Sequence, residues 1–261
     1  MTDLFDMDLR AKRRDRAART GVECFLFERV FADCLDRIAL IQRRFGRALL
    51  IGCPDPGWPA RLRHAADTVD VRDPGRLFAQ ASGGKQLIED SWQPDPLAYG
   101  LVLAIATLDT VNDLPAALRL LFEAMDHDAL LIGAVSGGNT LPRLRDAMRA
   151  TDAVVGAAAP QVHPRIEPSA LAPLLSSAGF ARPVVDVDRV DVRYLSFRNL
   201  VDDLRKMGAT NILEQRARAP LSRAAFRAAE QAFEQDANEG RTAESFEILH
   251  FAAWKGRARN G

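Results

Sequence analysis

Hydrophobic positions along the chain follow two spacings, one typical of amphipathic helices and one typical of buried strands. Segment 23–44 carries leucine, valine and isoleucine at helical spacing, which predicts a helix with one buried face. Continuous apolar runs at 47–52, 100–108 and 129–138 predict strands covered on both faces. Segment 113–126 predicts an amphipathic helix that begins at an aspartate cap. Strands that alternate with helices indicate a parallel α/β sheet with helices on both faces.

The second half of the chain has a weaker pattern. Segment 151–170 is rich in small residues and proline, and it predicts a loop or lid. Alternation over 183–194 and an apolar run over 244–256 predict the last two strands, with helices at 197–209 and 222–236 between them. We predict a single domain over 1–261, which consists of an N-terminal helical segment 1–45, a first half 46–155 and a second half 156–261 with a helical insertion at 196–240.

The ends of the predicted strands indicate where a ligand binds. In a parallel α/β sheet, ligands lie beyond the carboxyl ends of the strands, and Gly52, Asp70 and Thr107 fall at such ends. The first loop reads GCPDPGW, with Pro54 and Pro56 where a cofactor loop normally has glycine. Proline fixes φ and removes an N–H donor. The loop is therefore either a cofactor loop of altered shape or a plain bend between a strand and a helix.

Composition narrows the function classes. The chain has 35 basic and 35 acidic residues, and this balance argues against nucleic acid or a membrane surface as the partner. Three cysteines without paired spacing, and an N-terminus without an apolar signal core, predict a cytoplasmic protein. No apolar stretch approaches the roughly 20 residues of a membrane span. None of the four histidines has metal-ligand spacing with another, so we predict no metal site.

One short stretch departs from the charge balance. Residues 10–19 contain six basic side chains and one acidic side chain. This run indicates either a solvated helix face, which we favour, or a docking patch for an acidic protein partner. Arg205 and Lys206, on a predicted helix, extend the docking hypothesis.

No catalytic residue stands out in the sequence. His163, Arg165 and Glu167 either line a substrate entrance or lie in an exposed polar loop, and we favour the exposed loop. The chain contains neither a phosphate-binding loop nor the serine, histidine and aspartate order of a hydrolase.

Several stretches together resemble a known family. They are LFDMDLRAKRRDRAAR, ALLIGC, TLDTVNDLPAAL, LLIGAVSGGNTLPRLRDAM, SSAGFARPVVDVDRVDVRY, DLRKMGATN and FEILHFAAWK, in this order. They resemble the bacterial methyltransferase-like proteins related to mitochondrial complex I assembly factor 5. That family is itself similar to the malonyl-acyl-carrier-protein O-methyltransferases of biotin synthesis. The resemblance covers nearly the whole chain, and VNDLP, SGGNTL and MGATN are its most specific parts.

The resemblance implies a class I methyltransferase fold, a Rossmann-like sheet of seven strands with an antiparallel last strand. It implies S-adenosylmethionine as the cofactor. The loop with Gly52, Cys53 and Gly57 would face the methionine part of this cofactor, and Thr107 would line the same site. An acidic residue that ends the second strand would hold the ribose hydroxyls, and Asp70 matches it. Near the adenine the resemblance implies acidic residues. Glu89 or Asp90 matches these, and we select Asp90.

The chain departs from the family pattern mainly at this site. The departures are Leu50, Pro54, Pro56, Gly100, Asp109 and Thr110. Two functions follow as alternatives. The first is an S-adenosylmethionine-dependent methyltransferase of the complex I assembly type with an altered cofactor loop. The second is a pseudoenzyme that has lost the cofactor and acts as a protein-binding assembly factor. An open cleft beside Gly52 would favour the first, and a cleft filled by Trp58 or Leu50 would favour the second.

Overall fold

A computed structural model describes residues 3–256 and places seven strands in one sheet. The strands are β1 (Phe45–Ile51), β2 (Ala66–Asp73), β3 (Lys85–Gln86), β4 (Tyr99–Ile105), β5 (Met125–Ser136), β6 (Ala181–Tyr194) and β7 (Thr242–Trp254). Their order across the sheet is β3-β2-β1-β4-β5-β7-β6. Only β7 runs antiparallel to its neighbours. The predicted fold class, a seven-stranded Rossmann-like sheet with an antiparallel last strand, is confirmed.

Nine α-helices within residues 3–256 surround this sheet. They are α1 (Met7–Thr20), α2 (Phe25–Leu40), α3 (Trp58–Leu62), α4 (Arg76–Ala81), α5 (Leu114–Ala124), α6 (Pro142–Val155), α7 (Pro168–Ser177), α8 (Phe197–Lys206) and α9 (Arg223–Glu234). The first two lie in the predicted N-terminal segment, and α8 and α9 lie in the predicted insertion before β7. None of the helices in this described part of the chain is long and apolar enough to cross a membrane.

The core lies on both faces of the sheet because successive side chains of a strand point to opposite faces. Ala48 and Leu50 of β1 pack in the apolar cluster beneath α2, α3, α6, α8 and α9. Leu49 and Ile51 pack in a second cluster with α5 and α7. The continuous apolar run of β1 is therefore explained by burial on both sides. Leu50 is a core residue, and it does not fill the cleft at the strand ends.

The short strand β3 and the six-residue helix α4 have no counterpart in the sequence analysis. Their sequences follow the turn signal RDPG, and neither is long enough to show a clear period. They matter for the site because β3 pairs with the last residues of β2, Arg72 and Asp73, and so extends β2 beyond its predicted end.

Candidate functional site

Gly52 forms the sharp turn that follows β1. Its φ is +82°, and a Cβ atom at this position would lie 2.3 Å from the carbonyl oxygen of Ile105 and 2.7 Å from Cγ2 of Thr107. The turn therefore needs glycine, because a side chain would collide with the end of β4. This close approach brings the loop after β1 against the loop after β4. Two of the predicted site residues, Gly52 and Thr107, are thus neighbours.

Asp73 is the acidic residue at the carboxyl end of β2. Its side chain is fully buried and accepts four hydrogen bonds. Two come from backbone amides, Cys53 N at 2.8 Å and Gly75 N at 2.7 Å. The other two come from the Arg14 guanidinium on α1, through Nε at 2.7 Å and Nη2 at 2.6 Å. Burial opposes the charge of Arg14, but attraction and hydrogen bonding to Asp73 outweigh it, so the pKa of Arg14 is raised.

The prediction that Asp70 ends the second strand is wrong. Asp70 lies within β2 opposite Leu49, and three more residues follow before the strand ends. Its carboxylate accepts from Arg47 Nη2 at 2.6 Å and from the Tyr99 hydroxyl at 2.9 Å. Tyr99 is the first residue of β4, so Asp70 faces the amino-terminal side of that strand. Burial, together with this hydrogen bond, raises the pKa of Tyr99 to about 12.

Glu89, and not its neighbour Asp90, reaches the strand ends. Glu89 is fully buried, and its two carboxylate oxygens accept from Arg10 of α1 at 2.7 and 2.8 Å. The same guanidinium donates to the carbonyl oxygen of Thr107 at 2.7 Å. Asp90 instead accepts from the backbone amides of Asn112 and Asp113 at 3.0 and 3.1 Å. Asp90 therefore fixes the loop before α5, and its role as a cofactor ligand stays a prediction.

The other predicted loop residues contribute backbone atoms. Cys53 donates its amide to Asp73, and its thiol is buried, which raises the thiol pKa to about 12. Gly57 donates its amide to Asp55 Oδ1 at 2.7 Å and precedes α3. Trp58 does not fill the cleft. Its ring stacks on Phe31 in the core, with the ring centroids 4.3 Å apart. The double-proline bend thus leads directly into a core helix.

Thr107 and Asp109 follow β4 and leave polar atoms without partners. Thr107 is buried, and its hydroxyl oxygen has no hydrogen-bond partner within the described residues. Asp109 lies in a 3₁₀ turn, where its Oδ2 pairs with Nη1 of Arg165 at 2.5 Å. Asp109 Oδ1 and Arg165 Nε are buried and unpartnered in the same part of the chain. Native proteins rarely leave buried polar atoms unpaired, so these three atoms make this end of the sheet a candidate ligand site.

The loop that we interpreted as exposed is instead buried where it meets the site. His163 is 5% exposed, and its Nε2 accepts from the amide of Ile212 at 3.0 Å. Burial, with the Arg165 charge beside it, lowers the pKa of His163 to about 3. Burial also lowers the pKa of Arg165, although Asp109 opposes this change. The sequence analysis favoured an exposed loop because this segment is polar in composition. The residues that bury it are distant in sequence, so the local sequence does not reveal its burial.

Arg10 and Arg14 were also missed as site residues. We favoured a solvated helix face for the basic run, but these two arginines are buried while Lys12, Arg16 and Arg19 are exposed. Their spacing of four residues places them on one face of α1, which is the signal that could have found them. The start of α1 is fixed as well, because Asn112 Oδ1 accepts from the amides of Leu4 and Phe5.

Three cavities meet at Arg165. Two cavities of about 70 Å³ each lie at the ends of β4 and β5, and both are lined by Phe27, Ala106 and Ser136. A larger groove of about 430 Å³ opens between α6, α8 and α9. Arg165 lines all three. No group of histidine, cysteine, aspartate or glutamate side chains within residues 3–256 is arranged to hold a metal ion.

Comparison with known proteins agrees with this geometry. No profile of a known protein family matches the chain. The chain is 30% identical to the Mus musculus protein named arginine-hydroxylase NDUFAF5, mitochondrial, over 97% of this chain and 78% of that protein. It is 29% identical to the malonyl-acyl-carrier-protein O-methyltransferase of Laribacter hongkongensis, over 99% of this chain and 93% of that protein. The chain belongs to the NDUFAF5-like family of methyltransferase-related proteins.

A solved structure shows the same fold as this family member. The N-methyltransferase NodS from Bradyrhizobium japonicum, in complex with S-adenosyl-L-homocysteine, superposes with a TM-score of 0.52 at 12% identity, and the match covers 95% of this chain and 98% of NodS. The family and the fold that the sequence resemblance implied are therefore confirmed. The structure places the six predicted cofactor residues as follows. Cys53 contacts Asp73, Gly52 lies against Thr107, and Gly57 lies in the same loop, where it contacts Asp55. Asp70 and Asp90 face elsewhere.

Proposed function

We propose that the chain is an S-adenosylmethionine-dependent methyltransferase whose cofactor cleft is closed by α1 until the cofactor binds. The supporting observation is the convergence of the Gly52 loop, Asp73 and the unpartnered Thr107 hydroxyl at adjacent strand ends. In this proposal Asp73, rather than Asp70, takes the ribose hydroxyls. Glu89 lies on the adenine side, and the Gly52 loop faces the methionine part.

The residues fit this cofactor only if α1 moves. Arg14 now uses both oxygens of Asp73, and Arg10 uses both oxygens of Glu89. A ribose hydroxyl that replaced Arg14 would leave a buried guanidinium without its carboxylate, which is strongly unfavourable unless the arginine reaches water. The Thr107 hydroxyl, in contrast, has no partner to give up when a ligand binds beside Gly52.

Methyl transfer itself requires little from the side chains. The bound cofactor would supply an electrophilic methyl group. The protein's task is to align an acceptor oxygen or nitrogen with it and to exclude water, and alignment accounts for much of the rate in such reactions. The cavities at the ends of β4 and β5, which have a mostly apolar lining, offer space for such an acceptor. We therefore assign no general base.

The test is titration calorimetry with S-adenosylhomocysteine on the wild type, Asp73→Asn and Asp70→Asn. The two variants make the same substitution on the same strand, but only Asp73 lies at its carboxyl end. We expect micromolar binding that Asp73→Asn abolishes and Asp70→Asn preserves. No heat from the wild type at millimolar ligand would refute the proposal, and equal loss in both variants would refute the assignment of Asp73. Circular dichroism confirms that each variant is folded.

The second candidate is a pseudoenzyme that acts as a protein-binding assembly factor. It is favoured by the two arginine–carboxylate pairs that fill the cleft and by the prolines in the loop. In this case α1 would stay closed, and its outer face would bind an acidic protein. Burial and the neighbouring charges of Arg16, Arg216 and Arg205 lower the pKa of Arg13, which indicates an excess of positive charge there.

The docking surface of this candidate consists of Lys12, Arg16, Arg19, Arg205 and Lys206, all exposed. Arg14 is not part of this docking surface, because it is buried in an ion pair with Asp73. Charge reversal of Lys12, Arg16 and Arg19 should weaken capture of an acidic partner from extract, and the effect should fade as salt is raised. Charge reversal of Arg227, which is also exposed but lies on α9, is the control. Unchanged capture would exclude this surface. For either candidate, a cytoplasmic location stays a prediction.

A further inference from the structure

Strand β6 lies at one side of the sheet, and its outer edge is free. It contains 14 residues, and within residues 3–256 it pairs with β7 alone. The strand at the opposite side of the sheet, β3, has only two residues. Exposed edges carry unpaired N–H and C=O groups that accept a further strand, and proteins often keep such edges short or covered. The long edge of β6 is therefore a candidate surface for strand pairing.

The pairing with β7 decides which backbone groups of β6 face the free edge. The carbonyl oxygens of Ser245 and Glu247 in β7 accept from amides of the segment after β5, so these two residues face away from β6. Successive residues of a strand bond to opposite edges, so Phe246 faces β6, where it pairs with Val190. Val190 therefore bonds inward, and its neighbours on either side bond outward. The outward-facing residues of this region are Val187, Arg189, Asp191 and Arg193.

The outward-facing residues also carry charges that are available to a partner. Their side chains share one face of the sheet, and all four are exposed. Arg189 contacts Glu247 through Nε at 3.2 Å, but 67% of its side chain is exposed and its other nitrogens can bind a second carboxylate. Asp191 has no ion-pair partner in the part of the chain that the structure describes. The carbonyl oxygen of Arg193 accepts from Arg241 Nη1 at 3.4 Å, a long and exposed contact that a strand can replace.

Charge excludes most registers in which two copies of this edge could pair. Two identical strands related by a two-fold axis run antiparallel, and their outward-facing groups meet only if the axis passes through a residue. An axis at Asp188, Arg189 or Asp191 would place that charged side chain directly opposite its own copy, which is destabilising. An axis at or before Val187 would bring Pro183, which has no N–H, into the ladder.

Of the registers that remain, the one centred on Val190 is favoured. With the axis at Val190, Arg189 lies directly opposite Asp191 of the second copy, and the symmetry repeats this pair. Residues 186–194 of each copy then overlap. An axis at Val192 also pairs opposite charges, but it leaves a much shorter overlap because it lies near the end of β6. The longer overlap forms more backbone hydrogen bonds between the two copies.

We propose that two copies of this chain associate through the free edges of β6, antiparallel, with Val190 on the two-fold axis. Arg189 of each copy binds Asp191 of the other copy. The stem of Arg193 covers Val187 of the other copy, which is 44% exposed in the single chain. None of these residues lines the cavities at the candidate site, so the inference does not rest on the proposed function.

The first test is sedimentation velocity of the wild-type chain at increasing concentration. An interface made by one pair of strands is small, so we expect a dissociation constant of roughly 10 µM. The chain should sediment mainly as a monomer at about 1 µM and mainly as a dimer at about 100 µM. A wild type that remains monomeric at the highest concentration would overturn the proposal.

Charge variants test the pair of residues beside the axis. Arg189→Asp and Asp191→Arg each place like charges opposite each other twice, so each variant alone should stay monomeric at the highest concentration. An equimolar mixture of the two should form a heterodimer, because both pairs across the mixed interface join opposite charges. Asp95→Arg, at an exposed aspartate before β4, is the matched control and should associate like the wild type. Circular dichroism checks folding, and dimers of either variant alone, or no association of the folded mixture, would contradict the proposal.

Hydrogen exchange followed by NMR tests the register in the wild type, without any variant. As the concentration rises, the amides at 187, 189, 191 and 193 should become protected, because they bond to the second copy. The amides at 188, 190 and 192 should be protected at every concentration, because they bond to β7. A protein that dimerises while its outward-facing amides exchange at an unchanged rate would have its interface elsewhere, and the proposal would be wrong.

Discussion

The cleft contains two buried arginine–aspartate pairs, and they are satisfied to very different extents. Arg14 donates two hydrogen bonds to the Asp73 carboxylate, and two backbone amides donate two more. Arg165 meets Asp109 through a single nitrogen, and one atom on each side stays unpaired. The arginine pKa values differ accordingly, since that of Arg14 is raised and that of Arg165 is lowered. The first pair is therefore satisfied within the protein, whereas the second leaves one acceptor and one donor unused.

The two halves of the site therefore differ in whether the protein itself supplies the partners of the buried polar groups. On the proposed cofactor side the protein's own helix supplies the counter-charges, so a cofactor bound there would compete with α1. On the other side no segment within residues 3–256 completes the polar atoms. A ligand can only shift the position of α1 by the difference between its affinities for the open and closed forms. Breaking either pair therefore tests a separate half of the site.

The largest expected effect is on stability. Arg14→Met should lower the free energy of unfolding by about 3–5 kcal/mol, because it leaves the buried Asp73 carboxylate without its guanidinium. Arg165→Met should lower the free energy of unfolding by less, about 1–2 kcal/mol, since Arg165 makes only one hydrogen bond and its burial is poorly compensated. Urea denaturation measures both, with Arg149→Met in an exposed pair as the control at below about 0.5 kcal/mol. Equal losses in the two buried pairs would contradict the comparison.

A smaller effect concerns the pH dependence of stability. Unfolded His163 takes up a proton near pH 6.5, whereas the folded protein, with a pKa of about 3, does not. Stability should therefore fall as the pH falls below 6.5. Between pH 7 and 5 the wild type should lose about 2 kcal/mol more than His163→Gln.

Urea denaturation at several pH values measures this loss. The matched control is His127→Gln at an exposed histidine, which should keep the wild-type pH dependence. If His163→Gln shows the same pH dependence as the wild type, then His163 is not held neutral by burial beside Arg165.

The smallest expected effect is on affinity. Arg14→Gln removes the competitor for Asp73, so S-adenosylhomocysteine should bind about tenfold more tightly than to the wild type, equivalent to about 1.4 kcal/mol. Calorimetric titration measures the change, and Arg16→Gln on the exposed face of α1 is the control. Weaker binding to Arg14→Gln would mean that Arg14 assists the cofactor and does not exclude it.

The errors in the predicted site have a common physical origin. Asp67, Asp70 and Asp73 occur at intervals of three residues along β2, and nothing in their own sequence says which of them ends the strand. The short strand β3 decides the matter, because its pairing with Arg72 and Asp73 prolongs β2. A two-residue strand has no period of its own, so it could not be predicted.

The sequence by itself determined the sheet, most of its helices and the position of the cleft. Apolar runs define β1, β4 and β5, and the collision that a side chain would cause at Gly52 explains why glycine follows β1. Only the tertiary structure decided which groups face the cleft. Arg14 meets Asp73 across 59 residues, and Arg10 meets Glu89 across 79. Backbone periods and turns are local properties, whereas the pairing of charges depends on how distant elements pack.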